Sequence, residues 1–160
     1  MIYTYRYKTP CQFDDLKLTS DGEYLTEVSF IRRDEKIRNS DERYFKDAIR
    51  WLDLYFDHRI PDFTPKYRII DLTPFRESVI RIMEKIPYGK TITYGQIADM
   101  IVKEKGIPKM SAQAVGGAVG FNPICIIVPC HRVMGAHNKI TGYGGGIENK
   151  VALLKLEATF

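Results

Sequence analysis

The sequence predicts an α/β (α+β) chain of two domains, a small sheet with one helix followed by a mainly helical half. Three observations point there. Apolar and aromatic residues alternate with polar ones at Tyr3, Tyr5 and Tyr7 and at Leu16 and Leu18, the two-residue period of half-buried strands, and residues 24–31 read as a returning strand. Beyond residue 40 the period lengthens to that of helices, with stripes at Phe45, Ile49, Leu52 and Phe56 and again at Phe75, Val79, Ile82 and Ile86. Between the stripes the composition shifts at Leu72-Thr73-Pro74. That shift sets the boundary at about Thr73 and predicts domains over 1–73 and 74–160.

In the first half, Ser20-Asp21-Gly22 is the turn between two strands. The charge-dense run 31–39 reads as a solvated loop. Ser40 is the expected cap of the first helix, with Asp41 and Glu42 in its first turn. Pro61 and Pro65 end that pattern, and 67–72 reads as a last strand or as the linker itself. No constellation in this half suggests chemistry, and His58 stands alone.

Composition narrows the function classes. Hydrophobic residues make up 44% of 160 and charged residues 28%, enough for a packed core and too apolar for a disordered chain. No run reaches membrane-spanning length and the N-terminus has no signal-peptide core, so no membrane partner is expected. Cys11, Cys125 and Cys130 form neither a CxxC pair nor a disulfide framework. They suit a reducing, intracellular compartment (cytoplasmic, or nuclear in a eukaryote). His58, His131 and His137 show no metal-ligand spacing with them, and no metal or other cofactor is predicted. Charge is uneven: residues 1–73 carry 13 Lys/Arg against 14 Asp/Glu, and residues 74–160 carry 11 against 6. A basic second half suits a polyanionic partner, although solvated surface charge explains it as simply.

The second half opens with Thr73 as N-cap and Pro74 as first helical residue. Thr93 and Gln96 have capping-box spacing, so a helix should start at Tyr94 with Ile97 and Ile101 inward. Lys105-Gly106-Ile107-Pro108 stops it. Ser111 caps a second helix from Ala112 to about Gly120. Two short helices joined by a Gly-containing turn make a helix-turn-helix candidate. Ala112, Ala114, Gly116, Gly117 and Ala118 leave the second helix almost bare on one side. Adjacent glycines in mid-helix cost roughly 1 kcal/mol each relative to alanine. Close approach of another backbone would compensate, either a nucleic acid or a neighbouring helix of the same protein.

The chain is organised around Ile124-Cys125-Ile126-Ile127-Val128-Pro129-Cys130-His131-Arg132-Val133. Its apolar run predicts a short strand buried on both faces. Pro129 then stops the strand and sets Cys130 at its mouth. A thiol attacks as thiolate, and a nearby base or positive charge raises that fraction. His131 and Arg132 are candidates for both jobs. Adjacent residues in an extended chain point apart, so His131 reaches Cys130 through a turn or a bridging water. A buried structural cysteine beside a surface histidine is the plainer alternative.

Gly142-Tyr143-Gly144-Gly145-Gly146 lacks the Lys-Ser/Thr of a phosphate-binding P-loop and reads as a tight loop near a ligand. The last helix runs from Ile147 to about Glu157, with Ile147, Val151 and Leu154 on the expected core face. Glu157 falls in the last turn, where the helix dipole disfavours an acid. That misplacement suggests a task such as orienting His131, against the bland reading of a solvated glutamate.

These residues resemble the O6-alkylguanine-DNA alkyltransferases, the methylated-DNA–protein-cysteine methyltransferases. The resemblance covers 74–160 and rests on Thr-Tyr-Gly-Gln around Tyr94, Ala-Val-Gly-Gly at residues 114–117, Asn122-Pro123, Val-Pro-Cys-His-Arg-Val, the glycine loop with Tyr143, and the Leu-Leu-Lys-Leu-Glu tail. Residues 1–73 match only in general character. The resemblance implies a ribonuclease H-like N-terminal domain and a winged helix-turn-helix-like C-terminal domain that carries the cysteine. It implies a single-use transfer of an alkyl group from O6-alkylguanine, with O4-alkylthymine as a possible second lesion, in double-stranded DNA to Cys130. It implies His131 as base through a water, Glu157 as its holder, Asn122 as a brace, and Tyr94 as donor to the guanine leaving group. Tyr143, Gly144 and the Val133 backbone would bind the base. Ser111, Ala112, Gln113, Ala114, Gly116 and Gly117 would lie against the minor groove of a duplex whose damaged base is flipped out. A monomer without cofactor is expected.

The sequence departs from that family at four places. Gln113 stands where an arginine is usual. The turn around residues 103–110 is longer. Gly144 replaces a serine, and the zinc ligands of some N-terminal domains are absent, since only Cys11 lies there. Two other classes remain: a Cys-His hydrolase, for which nothing marks an oxyanion hole, and a non-catalytic binder of alkyl lesions, which in this family lacks the acceptor cysteine.

Overall fold

The computed structural model describes residues 1–158. Strands β1 (Tyr3–Tyr7), β2 (Asp15–Ser20) and β3 (Leu25–Ile31) form an antiparallel sheet in that order. Tyr5 lies opposite Leu18, and Leu18 opposite Val28. Burial alternates strictly along β2, with Leu16, Leu18 and Ser20 inward, as the two-residue period requires. Helix α1 (Lys46–Phe56) packs on that face, where Leu52 and Tyr55 are fully buried with Leu16, Leu18 and Val28. Each such aliphatic side chain contributes roughly 1.5–3 kcal/mol on burial.

Two local expectations for this half are corrected. Ser40 does not cap the helix. Its Oγ accepts from the Thr4 N–H (3.1 Å) and its own N–H donates to the Thr4 carbonyl (2.7 Å), so it extends the edge of β1. Asp41 takes the cap, accepting from the Arg43 N–H (2.9 Å), and starts a 3-10 turn, Glu42–Phe45, ahead of α1. That turn resets the helical phase. The buried stripe of α1 is therefore Ala48, Trp51, Leu52 and Tyr55, while Ile49 and Phe56 are half-buried. Residues 67–72 behave as the linker, apart from one bridge in which the Leu25 N–H donates to the Lys66 carbonyl and the Arg68 N–H to that of Leu25.

In the second half, α2 (Pro74–Glu84) starts with Thr73 accepting from the Arg76 N–H, and α3 (Tyr94–Lys105) has the full Thr93/Gln96 capping box. α3 ends on Gly106, whose φ of +63° is the left-handed closure glycine supplies. α4 (Ala112–Phe121) is capped by Ser111. Helices α2, α3 and α4 pack together. The turn between α3 and α4 is residues 106–111, between the stop at Lys105-Gly106 and the Ser111 cap that the sequence predicted. Along α2 the inward face is Ser78, Val79, Ile80 and Met83, with Phe75 and Ile82 only half-buried. Strands β4 (Ile92–Thr93) and β5 (Val133–Met134) pair in parallel, joining the segment before α3 to the one after the cysteine.

α5 (Ile147–Glu157) turns a different face inward from the one its apolar residues suggested. Ile147 is 50% exposed and Val151 and Leu154 are half-buried, while Asn149, Lys150, Leu153, Leu156 and Glu157 are buried. Counting apolar residues picks the wrong face here because the inward face is largely polar. Among the described residues, no helix is long and apolar enough to cross a membrane.

One hydrophobic core runs through both halves. The Val28 N–H donates to the Pro123 carbonyl and the Cys125 N–H to that of Val28, both at 2.9 Å. Asn149 meets Asp14 in two hydrogen bonds of 3.0 Å. The sheet of the first half thus presses directly on the segment that leads to Cys130.

Candidate active site

That segment is not the strand its sequence suggested. Residues 124–128 touch β3 through one bridge at Ile124 and otherwise turn. The Ile127 N–H donates to the Cys125 carbonyl (2.8 Å) around Ile126, whose φ is +70°. A β-branched residue rarely adopts that conformation, which costs on the order of 1–3 kcal/mol. The Cys130 N–H then donates to the Val128 carbonyl (2.8 Å) around Pro129, at φ −81° and ψ 64°, an inverse γ-turn. Asn122 holds both turns. Its Nδ2 donates to the carbonyls of Val128 (2.9 Å) and Ile124 (3.4 Å), and its Oδ1 accepts from the Ile124 N–H (3.0 Å). Cys130 therefore starts a short 3-10 helix, Cys130–Arg132, at the end of a folded, buried turn.

Behind the cysteine lies a buried charge network centred on Glu157, itself 2% exposed. Its carboxylate accepts from His131 Nε2 (2.5 Å), the Tyr55 hydroxyl (2.5 Å), Arg132 Nε (2.7 Å) and Nη2 (3.1 Å), and the Gly89 N–H (3.1 Å). Burial opposes the carboxylate charge, but His131 and Arg132 outweigh it and hold Glu157 well below the usual carboxylate range. Burial also pushes the imidazolium of His131 down, more than Glu157 pushes it up. His131 is thus neutral near pH 7, with its proton on Nε2 and a free lone pair on Nδ1. Nδ1 is buried and meets no hydrogen-bond partner among the described residues. Arg132 does not serve the thiol, contrary to both roles expected of it. It is spent on Glu157 and on the Ile86 carbonyl (2.7 Å), below the Tyr88 ring.

In front of the cysteine is a cavity of about 240 Å³. Tyr94, Gly116, Asn122, Cys130, Tyr143 and Gly144 line it, together with Cys125. The Tyr143 hydroxyl lies 3.6 Å from Cys130 Sγ, and the Tyr94 hydroxyl accepts from Thr141 Oγ1 (3.4 Å). Val133, His131 and Glu157 lie behind the lining. The glycine loop is shaped by contact: a Cβ on Gly145 would lie 2.8 Å from Phe30 and from Tyr143, whereas Gly144 faces open space. The Cys130 thiol is brought down to about 7, first by the neighbouring Cys125 thiol, against burial, with Asn122, Tyr143 and Lys150 adding to the effect.

Lys150 was not anticipated. It is fully buried, donates from Nζ to the Val133 carbonyl (2.7 Å), and sits 5.7 Å from the Tyr143 ring. A lysine on an expected exposed face carries no sequence signal for this. Cys125, inside the apolar run, carries no sequence signal of its own either.

At the cavity's rim, α4 presents Ser111, Ala112, Gln113, Ala114 and Gly117 to solvent. An added Cβ on Gly117 or Gly120 would meet nothing within 4 Å, and one on Gly116 would only brush the Tyr94 ring at 3.9 Å. Tight packing inside the protein therefore does not account for Gly117 or Gly120.

Residues 74–159 match the family model described as 6-O-methylguanine DNA methyltransferase, DNA binding domain. The chain belongs to this family. It is 44% identical over 147 residues to the methylated-DNA–protein-cysteine methyltransferase of Methanosarcina acetivorans, covering 89% of this chain and 90% of that one. The Mycobacterium tuberculosis protein of the same name is 43% identical over 148 residues, 89% of this chain and 85% of its own. Among solved structures, that of Mycobacterium tuberculosis O6-methylguanine methyltransferase superposes with a TM-score of 0.82 at 37% identity, over 99% of this chain and 94% of that one. That of Mycobacterium tuberculosis OGT in complex with DNA gives 0.80 at 38%, over 99% and 92%. A mixed α/β fold of small sheets and helices is therefore common to this methyltransferase family and to this chain.

Proposed function

We propose that this protein is a methylated-DNA–protein-cysteine methyltransferase that repairs O6-alkylguanine in double-stranded DNA by taking the alkyl group onto Cys130. The observation that carries the reading is a thiol with a value near 7, set in a cavity that opens beside the bare, glycine-rich face of α4. In the mechanism, the damaged base leaves the duplex and enters between Tyr143 and Tyr94, which costs a few kcal/mol of unstacking. Cys130 loses its proton through a water to His131 Nδ1, with Glu157 holding the ring by Nε2. The thiolate attacks the alkyl carbon, the carbon–O6 bond breaks, and its electrons return to the guanine, whose charge the Tyr94 hydroxyl offsets. The thioether formed has no route back to thiol, so each molecule acts once.

The remaining roles follow the same reading. Asn122 fixes the turns that aim the thiol. The Val133 backbone, braced by Lys150, and the Gly144 region recognise the guanine edge. Ser111, Ala112, Gln113, Ala114, Gly116 and Gly117 lie against the minor groove, where small side chains let the phosphate backbone come close. Residues 74–160 act as the helix-turn-helix and alkyl-accepting domain and residues 1–73 as a ribonuclease H-like companion; the start of the family match at residue 74 supports that division. The protein works inside the cell, a reading supported by three free cysteines, and as a monomer, which the family resemblance alone implies.

Cys130→Ser tests the assignment. Methyl transfer should be lost, while binding to a duplex with one O6-methylguanine stays within about threefold of wild type, because a hydroxyl keeps the size and the turn. Residual transfer would remove Cys130 from the acceptor role.

A further inference from the structure

Cys125 takes no part in the mechanism above, yet the chain is bent to bring it into the cavity that Cys130 lines. Five residues of extended strand would set Cys125 and Cys130 about 17 Å apart. The two tight turns at Ile126 and Pro129 instead fold both into the lining of one cavity. Both are buried, at 9% and 5% exposure. We propose that Cys125 is a positioning residue of the acceptor site, its S–H donating a hydrogen bond to the Cys130 thiolate and holding it aimed into the cavity. This rests on the alkyl-transfer reading of Cys130.

The charges around the pair agree with that direction. The neighbouring Cys130 sulfur, and then burial, push the Cys125 thiol well above its ordinary value, with Glu27 of β3 acting the same way and Tyr143 opposing. Cys125 therefore keeps its proton and remains a donor. Cys130 moves down, with Cys125 the leading cause, then Asn122, Tyr143 and Lys150 against burial. The Tyr143 phenol is pushed far up, first by burial, and also stays a donor. His131 is neutral, and Arg132 faces Glu157 instead of the sulfurs. During transfer the Cys125 proton does not move: the new bond is Cys130 sulfur to carbon, and the proton that Cys130 loses leaves through His131.

The test uses the full-length protein and iodoacetamide over a pH series, with peptide mass mapping to follow Cys130 alone. The wild-type midpoint should lie near 7. Cys125→Ala should raise it by about one unit, and Cys125→Ser, which still donates, should restore most of that shift. Methyl transfer by Cys125→Ala should then be about fivefold slower near pH 7 and equal to wild type above about pH 9, where both thiols are ionised. An unmoved midpoint, or equal slowing at both pH values, would overturn the proposal. If Cys125→Ala does not fold, Cys125→Val, apolar and without a donor, carries the same comparison. A midpoint that moves in a protein that transfers no methyl group would keep the thiol pair and overturn the alkyl-transfer reading.

Discussion

Two regions flank Cys130 and break opposite rules. Behind it, the Glu157 network buries a carboxylate, a guanidinium and an imidazole where apolar side chains would ordinarily go. In front, α4 exposes alanines and glycines where long polar side chains would ordinarily go. The first is costly unless every partner is present. The second is costly because glycine weakens a helix whether or not anything touches it. Neither cost is offset by a gain in stability alone. The buried side is built to hold an imidazole in one tautomer, and the open side to let something bulky approach.

The largest effect should come from the buried side. Glu157→Gln leaves the Arg132 charge buried without its carboxylate and should destabilise the fold by roughly 3 kcal/mol or more, read as a urea unfolding midpoint. It should also slow methyl transfer at pH 7, because His131 loses the partner that fixes its tautomer. The pH dependence carries the sign. The carboxyl of Glu157 is depressed in the folded state, so its contribution is full above the ordinary carboxylate value and is lost as pH falls below it. Wild-type stability should drop steeply from about pH 5 to about pH 3, and Glu157→Gln should flatten that drop. Equal slopes in the two proteins would contradict the network.

The open side predicts a smaller effect of opposite sign. Gly117→Ala should stabilise the fold by up to about 1 kcal/mol in thermal unfolding, because the added Cβ meets nothing. The same change should weaken binding to duplex DNA. A protein that gains stability and keeps its affinity would show that α4 is not the DNA face. The smallest expected effect is at Gln113. Gln113→Arg adds one charge beside the phosphates and should steepen the dependence of affinity on salt by about one counterion. An unchanged slope would take position 113 off the interface.

What was legible in the sequence divides along the same line. Capping chemistry is local, so Thr73, Thr93 with Gln96, Gly106 and Ser111 placed α2, α3 and α4 almost to the residue. The alternation of β2 was equally clear. Misplaced residues pointed correctly as well: Glu157 at the wrong end of its helix is the acceptor for His131. Faces set by distant partners were not legible. α5 hides Lys150 and Glu157 inward, so an apolar stripe led to the wrong side. Ser40 was drawn off its helix by Thr4. The apolar run 124–128 looked like a strand because composition does not register the turn at Ile126, which Asn122 holds from outside the run. Arg132 looked available to the thiol until its partner, 25 residues away, was in view.

The most direct test is intact mass. The protein would be mixed with an equimolar duplex containing one O6-methylguanine, weighed, and digested to locate any addition. A gain of one methylene unit on the peptide that carries Cys130, stopping at one equivalent however much duplex is supplied, is the predicted result. No gain, with the lesion still tightly bound, would contradict the transfer and leave a binder of alkylated DNA.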